Sequence, residues 1–168
     1  MKKIILFFAL MVIPLLSFAQ QISGYSDTKW GMTPDAVVSA EKGKAHIQAT
    51  PDVFLYGKGL VKIDNISIGG DSYKVDFIFN ARQKLVMVNV VSPEHAPEFV
   101  NQQKFLKLES LLTQKYGSPK YKDGHFKVVW DLGETIVSLV HLYIGGESYS
   151  VSVSYASSEI TKKETENL

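Results

Sequence analysis

The stretch IGGDSY at residues 68–73 decides the fold prediction, because it recurs almost unchanged as IGGESY at residues 144–149. Runs rich in valine, isoleucine and aromatic residues flank both copies. Two glycines followed by an acidic residue are typical of a hairpin turn, since these residues tolerate positive φ angles. Each copy is therefore predicted to join two antiparallel strands.

Working outward from the first copy, the alternation of apolar and polar residues predicts four strands, at residues 53–56, 60–68, 73–80 and 85–92. In the third of these, the odd-numbered positions are aromatic or valine and the even-numbered positions are polar, with Ile78 as the exception. Such alternation is expected of a sheet with one wet face. The apolar positions of the second strand change parity near Asp64 and Asn65, which predicts a β-bulge there.

The second copy lies in a similar setting. Three strands are predicted around it, at residues 126–132, 135–144 and 149–155. The last of them has the cleanest alternation in the chain, with large apolar residues on one side and Ser150, Ser152 and Ser154 on the other. These serines predict a small polar face on the sheet.

A helix is predicted before each group of strands. The first runs over residues 34–42 and is closed by Gly43, which tolerates the conformation of a C-terminal cap. The second runs over residues 97–116, with apolar residues at spacings of three and four, and stops at Gly117.

These elements predict an α+β protein in which helices pack on an antiparallel sheet, arranged as two tandem helix-plus-β-meander units at about 28–92 and 97–157. The length favours a single domain at 20–157, followed by a flexible polar tail at 158–168. The alternative is that the two hairpins arose independently, because turn chemistry alone explains the glycines. It does not explain the shared isoleucine, serine and tyrosine.

Residues 1–19 have the pattern of a secretory signal peptide. Lys2 and Lys3 precede an uncharged apolar run at 4–16, and the small-x-small sequence ending at Ala19 matches a cleavage site. The run is shorter than the roughly 20 residues of a transmembrane helix. The chain contains no cysteine, which excludes acylation at cysteine, disulfides and thiolate metal sites. The protein is thus predicted to be exported, periplasmic or secreted, without a membrane anchor in its mature form.

The charge balance argues against a nucleic-acid partner. The 18 basic residues include Lys2 and Lys3, so 16 remain in the predicted mature chain against 17 acidic residues. A nucleic-acid binder is expected to carry a marked excess of basic residues.

Three short motifs give the chain a resemblance to known families: WGMT at residues 30–33, KYGSP at residues 115–119, and Trp130 in the strand that follows. Together they resemble a loose group of uncharacterised exported bacterial proteins. The repeated organisation also resembles the β-lactamase-inhibitor-protein fold and the small outer-membrane assembly lipoproteins of the SmpA/OmlA type. The resemblance implies a helix pair on an antiparallel sheet and a fold used to bind proteins. Unlike the lipoproteins, this chain has no cysteine to acylate.

The candidate binding residues are aromatic side chains predicted at loop edges: Trp30, Tyr56, Tyr121 and Phe126. Amphipathic rings in such positions favour interfaces. The alternative for Trp30, and equally for Trp130, is a place in the core, where most large aromatic side chains are found.

No catalytic or metal-binding motif is visible. His46, His95, His125 and His141 lack the spacing of zinc ligands, and no Gly-x-Ser-x-Gly elbow is present. We expect no cofactor and no metal. The leading hypothesis is a non-catalytic protein-binding or inhibitor-like module of the bacterial envelope, whose partner is another exported or envelope protein or a cell-wall component.

Two alternatives stay open. One is a small envelope hydrolase in which His141 converges with Asp64, Asp76 or Asp131 in three dimensions. The other is a purely structural role in the envelope. A closed pocket lined by the carboxylates and His141 would favour the hydrolase, whereas an exposed, concave, aromatic sheet face without such a pocket would favour binding.

We expect the exported protein to begin at Gln20. Replacing Ala19 with tyrosine should block processing, because signal peptidase reads small residues at this position. The matched control is Phe18→Tyr, at the position between the two small residues. Intact-mass measurement of the exported protein checks the prediction, and an exported chain that still begins at Met1 would contradict it.

Overall fold

The computed structural model describes residues 22–92, 96–145, 148–160 and 162, and the predicted signal peptide lies outside them. In this part of the chain, a helix is followed by four strands, and the same order is then repeated. The elements are α1 (Pro34–Ala40), β1 (His46–Phe54), β2 (Gly57–Ile68), β3 (Asp71–Phe79), β4 (Leu85–Val91), α2 (Glu98–Tyr116), β5 (Tyr121–Asp123), β6 (Lys127–Asp131), β7 (Thr135–Gly145) and β8 (Ser148–Ser157). The predicted α+β class is confirmed.

All eight strands form one antiparallel sheet in the order β1-β2-β3-β4-β8-β7-β6-β5. Each group of four strands is a meander, and the two meanders meet where β4 pairs with β8. At this central junction Val90 lies opposite Val153, and Val88 lies opposite Tyr155. The short strand β5 and the longer strand β1 form the two edges of the sheet.

Both helices pack on the same face of the sheet. Val37 of α1 belongs to one core cluster together with Phe105 of α2 and with Phe77 and Trp130 of the sheet. Helix α1 lies against β1 and β2, and α2 lies against β7 and β8. The indole nitrogen of Trp130 also donates a hydrogen bond of 3.0 Å to the carbonyl of Gly117, just after α2. Trp130 is therefore a core residue, as expected from the usual burial of large aromatic side chains.

The predicted helices agree with the structure, except that α1 ends earlier than predicted. Helix α2 buries Phe105, Leu108 and Leu112, at i, i+3 and i+7, and stops before Gly117, where φ is 82°. Helix α1 ends at Ala40 and not at residue 42, because Lys42 already has a left-handed φ of 52°. The predicted tail at 158–168 is described only at 158–160, which begin a helical turn, and at 162.

The strand predictions failed at the two edges of the sheet. Strand β1 begins at His46, seven residues before the predicted start at 53, and β5 was not predicted. Edge strands bury little, so most positions in β1 and all three in β5 are exposed and show no apolar alternation. In the interior, the predicted bulge near Asp64 is confirmed by a register shift between Ile63 and Ile66.

The repeated hexapeptide forms hairpins, but not at equivalent places. The first copy joins β2 to β3 through Gly69 and Gly70, with φ of 59° and 89°. The second copy joins β7 to β8, although residues 146 and 147 lie outside the described residues. Counted from the preceding helix, the first copy follows the second strand and the second copy follows the third. When each copy is counted from its preceding helix, the hairpins formed by the two copies therefore differ by one strand.

We expect Phe77→Ala to lower the free energy of unfolding by about 3–5 kcal/mol, because it leaves a cavity in the core. Phe77 is completely buried, in contact with the helix-side cluster. The matched control is Phe99→Ala on α2, whose ring is largely exposed and which should change the stability by less than about 1 kcal/mol. Urea unfolding of both variants is the measurement. Equal losses in the two variants would contradict the assignment of the core.

Candidate functional site

The sheet has a second face, opposite α1 and α2, which we call the open face. One row of directly paired side chains crosses this face over all eight strands. From β5 to β1, the row consists of Tyr121, Val129, Ser138, Ser154, Asn89, Asp76, Lys62 and His46. Neither α1 nor α2 packs on this face. The predicted polar serine face is part of it, since Ser152 and Ser154 both lie here.

An apolar strip lies beside this row on the open face. It consists of Ile136, Ala156, Met87 and Ile78, which are paired across β7, β8, β4 and β3. Ile78 has an exposed fraction of 0%, yet it is not part of the helix-side core cluster. This explains the exception in the alternation of β3, because Ile78 belongs to a second, smaller apolar layer.

Gly59 makes room for an aromatic ring next to this strip. Gly59 pairs with Ile78, and a Cβ at Gly59 would lie 2.9 Å from the ring of Phe54. The ring therefore lies over the backbone of β2, and a side chain at residue 59 would require the ring to shift. The amide nitrogen of the Gln48 side chain donates a hydrogen bond of 3.0 Å to the carbonyl of Gly59 and holds β1 at this position.

The charged centre of the open face is the pair formed by Asp76 and Lys62. The carboxylate oxygen Oδ1 of Asp76 lies 4.0 Å from Nζ of Lys62. Asp76 has an exposed fraction of 8%, and its Oδ1 has no hydrogen-bond partner among the described residues. Burial raises the pKa of Asp76, and the attraction of Lys62 offsets the effect only in part. The open face thus holds a carboxylate that is shielded from water and incompletely paired.

The residues that a hydrolase would need are not brought together. His141 lies on the helix side of the sheet, with its ring stacked on Phe126 and tilted against Tyr149. Burial there lowers the pKa of His141. Asp76 and Asp131 lie on the open face, separated by four strand spacings, or about 19 Å.

The remaining carboxylates of that hypothesis are engaged elsewhere. Asp131 accepts a hydrogen bond of 2.6 Å from Nζ of Lys120, which lowers its pKa. Asp64 is exposed and lies 3.7 Å from Nδ1 of His46. Among the described residues, no group of three His, Asp or Glu side chains could hold a metal ion. His125 is exposed in the turn after β5, and His95 lies outside the described residues.

The four candidate aromatic residues lie in four different surroundings. Tyr121 is exposed on the open face, at the end of the row. Phe126 is exposed on the helix side, where it covers His141. Tyr56 lies in the turn between β1 and β2, at the other edge of the sheet. Trp30 is partly buried against the core and donates a hydrogen bond of 3.0 Å to Oγ1 of Thr135. Only Tyr121 belongs to the open face.

The sequence did not reveal the charged and amide side chains of the row. Asp76 was recognised as a polar position of its strand, but its pairing with Lys62 and Asn89 depends on the strand register. One sequence signal could have indicated this pairing: the apolar positions of β2 change parity at the bulge. The bulge sets the register between β2 and β3.

Comparisons with known proteins give no match, whether to a protein-family model, to a curated protein or to a solved structure. The described helices also lack the combination of length and apolar character that crossing a bilayer requires.

We expect Asp76→Asn to raise the free energy of unfolding at pH 7. The folded protein raises this pKa above its ordinary value of 3.8, so the protonated form stabilises the fold. That stabilisation is complete below pH 3.8 and is lost as the pH rises through the raised value. Asparagine mimics the protonated form, and its advantage should therefore disappear at about pH 3.

Urea unfolding at both pH values checks this expectation. The matched control is Asp123→Asn in β5, the same substitution at an exposed position, which should change the stability at pH 7 by less than about 1 kcal/mol. A loss of stability in Asp76→Asn at pH 7 would mean that the attraction of Lys62 outweighs the cost of burial.

Proposed function

We propose that this chain is an exported, non-catalytic protein-binding module of the bacterial envelope, and that it binds its partner on the open face. One observation carries the proposal: the paired row from Tyr121 to His46 crosses all eight strands, and neither α1 nor α2 covers it. A face of this kind, formed by rigid strands, offers a preorganised contact surface.

The dimensions of the open face suit a protein partner. Seven strand spacings give a width of about 34 Å, and a length of about five residues along the strands other than β5 gives about 17 Å. The product is an area on the order of 600 Å², which does not include the additional area of the projecting side chains. A stable protein–protein interface buries about 800 Å² on each partner, which is comparable.

The chemistry of the face also supports protein recognition. Ser138, Ser154 and Asn89 offer hydrogen-bond donors and acceptors near the middle of the row, beside the apolar strip. A mixture of an apolar centre and polar neighbours is typical of interfaces between proteins.

The resemblance described above agrees with this proposal, because the β-lactamase-inhibitor-protein fold binds proteins. Such an analogy supports a function and does not establish a site. The partner we propose is another exported or envelope protein, which is the class that a chain with this N-terminal pattern would meet.

We further propose that the two halves of the chain are tandem helix-plus-meander units. The repeated order of one helix and four strands supports this, as does the central pairing of the last strand of each half. The hexapeptide does not mark equivalent hairpins of these units, so the proposal rests on the element order.

Substitution of Ser154 tests the binding proposal. Ser154→Arg places a long, charged side chain in the middle of the open face and should lower the amount of partner captured from envelope extract at least tenfold, equivalent to about 1.4 kcal/mol. The matched control is Ser110→Arg, the same change at an exposed position of α2. It should leave capture unchanged.

Thermal unfolding of both variants establishes that they are folded. Capture of the same partner by the wild type and by Ser154→Arg would overturn the assignment of the open face. A wild-type chain that captures no partner at all would count against the protein-binding function itself.

A further inference from the structure

The turn between β1 and β2 presents the most exposed large apolar side chains among the described residues. We call residues 53–56, with the sequence VFLY, the hairpin tip. Val53 has an exposed fraction of 80% and Leu55 one of 85%. Isolated exposed apolar residues are common on protein surfaces, but two at the end of one hairpin form a local apolar protrusion.

The hairpin tip is held in place by the backbone of its neighbours. Val53 pairs with Lys58 and Phe54 with Gly57, which leaves a turn of two residues. Gly57 has a φ of 153°, and a Cβ at this position would lie 2.0 Å from the carbonyl oxygen of Phe79. The turn therefore lies directly against β3, so its apolar side chains are exposed by a fixed backbone geometry.

Basic residues surround the hairpin tip. Lys58 follows it in the chain, and the turn between β3 and β4 carries Arg82 and Lys84 at the same end of the sheet. All three are exposed, and none belongs to an ion pair identified among the described residues. A cleft of about 660 Å³ lies between the two turns, lined among others by Leu55 and Gln83. The apolar tip and the basic turn are thus neighbours.

We propose that the hairpin tip inserts into the interface of an anionic bilayer, with Lys58, Arg82 and Lys84 contacting the lipid phosphates. Apolar side chains with adjacent lysine and arginine are complementary to such a surface. The apolar side chains insert at the boundary of the acyl chains, and the anionic headgroups attract the lysine and arginine side chains. A protein partner fits this feature less well, because a tip of two side chains is far smaller than the about 800 Å² that a stable interface buries on each side. The contact is reversible and leaves the open face free.

The test is co-sedimentation of the full chain with vesicles of phosphatidylglycerol and phosphatidylcholine, compared with vesicles of phosphatidylcholine alone. The wild type should bind the anionic vesicles more strongly, and added salt should weaken binding by screening. Replacing both Val53 and Leu55 with serine should lower the partition coefficient about tenfold or more. Replacing Arg82 and Lys84 with glutamine should lower it about 25-fold, at about fivefold for each charge.

Matched controls lie at the opposite end of the sheet. Tyr143→Ser removes an exposed aromatic ring there, and Lys44→Gln with Lys127→Gln removes two exposed charges. These variants should bind the anionic vesicles like the wild type. Residues 1–21 are the same in all variants, so any difference in binding between variants arises from the substituted positions.

Three results would overturn the proposal. One is a wild-type chain that does not sediment with anionic vesicles. Another is equal binding by the wild type and the Val53 and Leu55 double variant. The third is self-association in sedimentation velocity, or capture of an envelope protein, that requires Val53 and Leu55 while vesicle binding does not. Circular dichroism of each variant confirms that it is folded before binding is compared.

Discussion

The pairing of β4 with β8 is the contact on which the rest of the structure depends. It joins two four-stranded meanders into one sheet, and it does so in the middle, where every neighbouring strand is already paired. Val88 and Val90 meet Tyr155 and Val153 across this junction, beneath the helices. Without this junction, β4 and β8 would each become an unpaired edge strand. The apolar face would also be divided between the two meanders, because neither helix alone covers the whole sheet.

This single sheet with helices on one side also determines the character of the other side. The alternating apolar positions of the strands face the helices. The positions between them face the other side and can therefore be polar, as Ser154 and Asn89 are. The Asp76 carboxylate lies among them with raised pKa, because neighbouring strands shield it from water without supplying a hydrogen bond to its Oδ1. Such a group is costly for the folded state at neutral pH.

The sequence predicted the interior of the sheet better than its edges. Strands β3 and β8 place large apolar residues on the helix side and mostly polar residues on the other side, so their period of two is visible in the sequence. Strand β1 is an edge with a bulge, and β5 has only three residues, so neither produces a burial pattern that a sequence can show. The candidate site was predictable as a polar sheet face but not as a row, because only the register brings Lys62, Asp76 and Asn89 together. The four aromatic candidates share only a predicted place at a loop edge, and nothing in the sequence fixes how far apart they lie.

The hydrogen bond from Trp30 to Thr135 has a consequence for how the chain reaches its native state. It connects residues 105 positions apart, and the central junction likewise pairs the fourth strand with the last one. A ribosome therefore releases nearly the whole chain before either contact can form, and closing such long loops is slow. The central junction cannot form until β8 has been synthesised, so β4 is left with an unpaired strand edge until then.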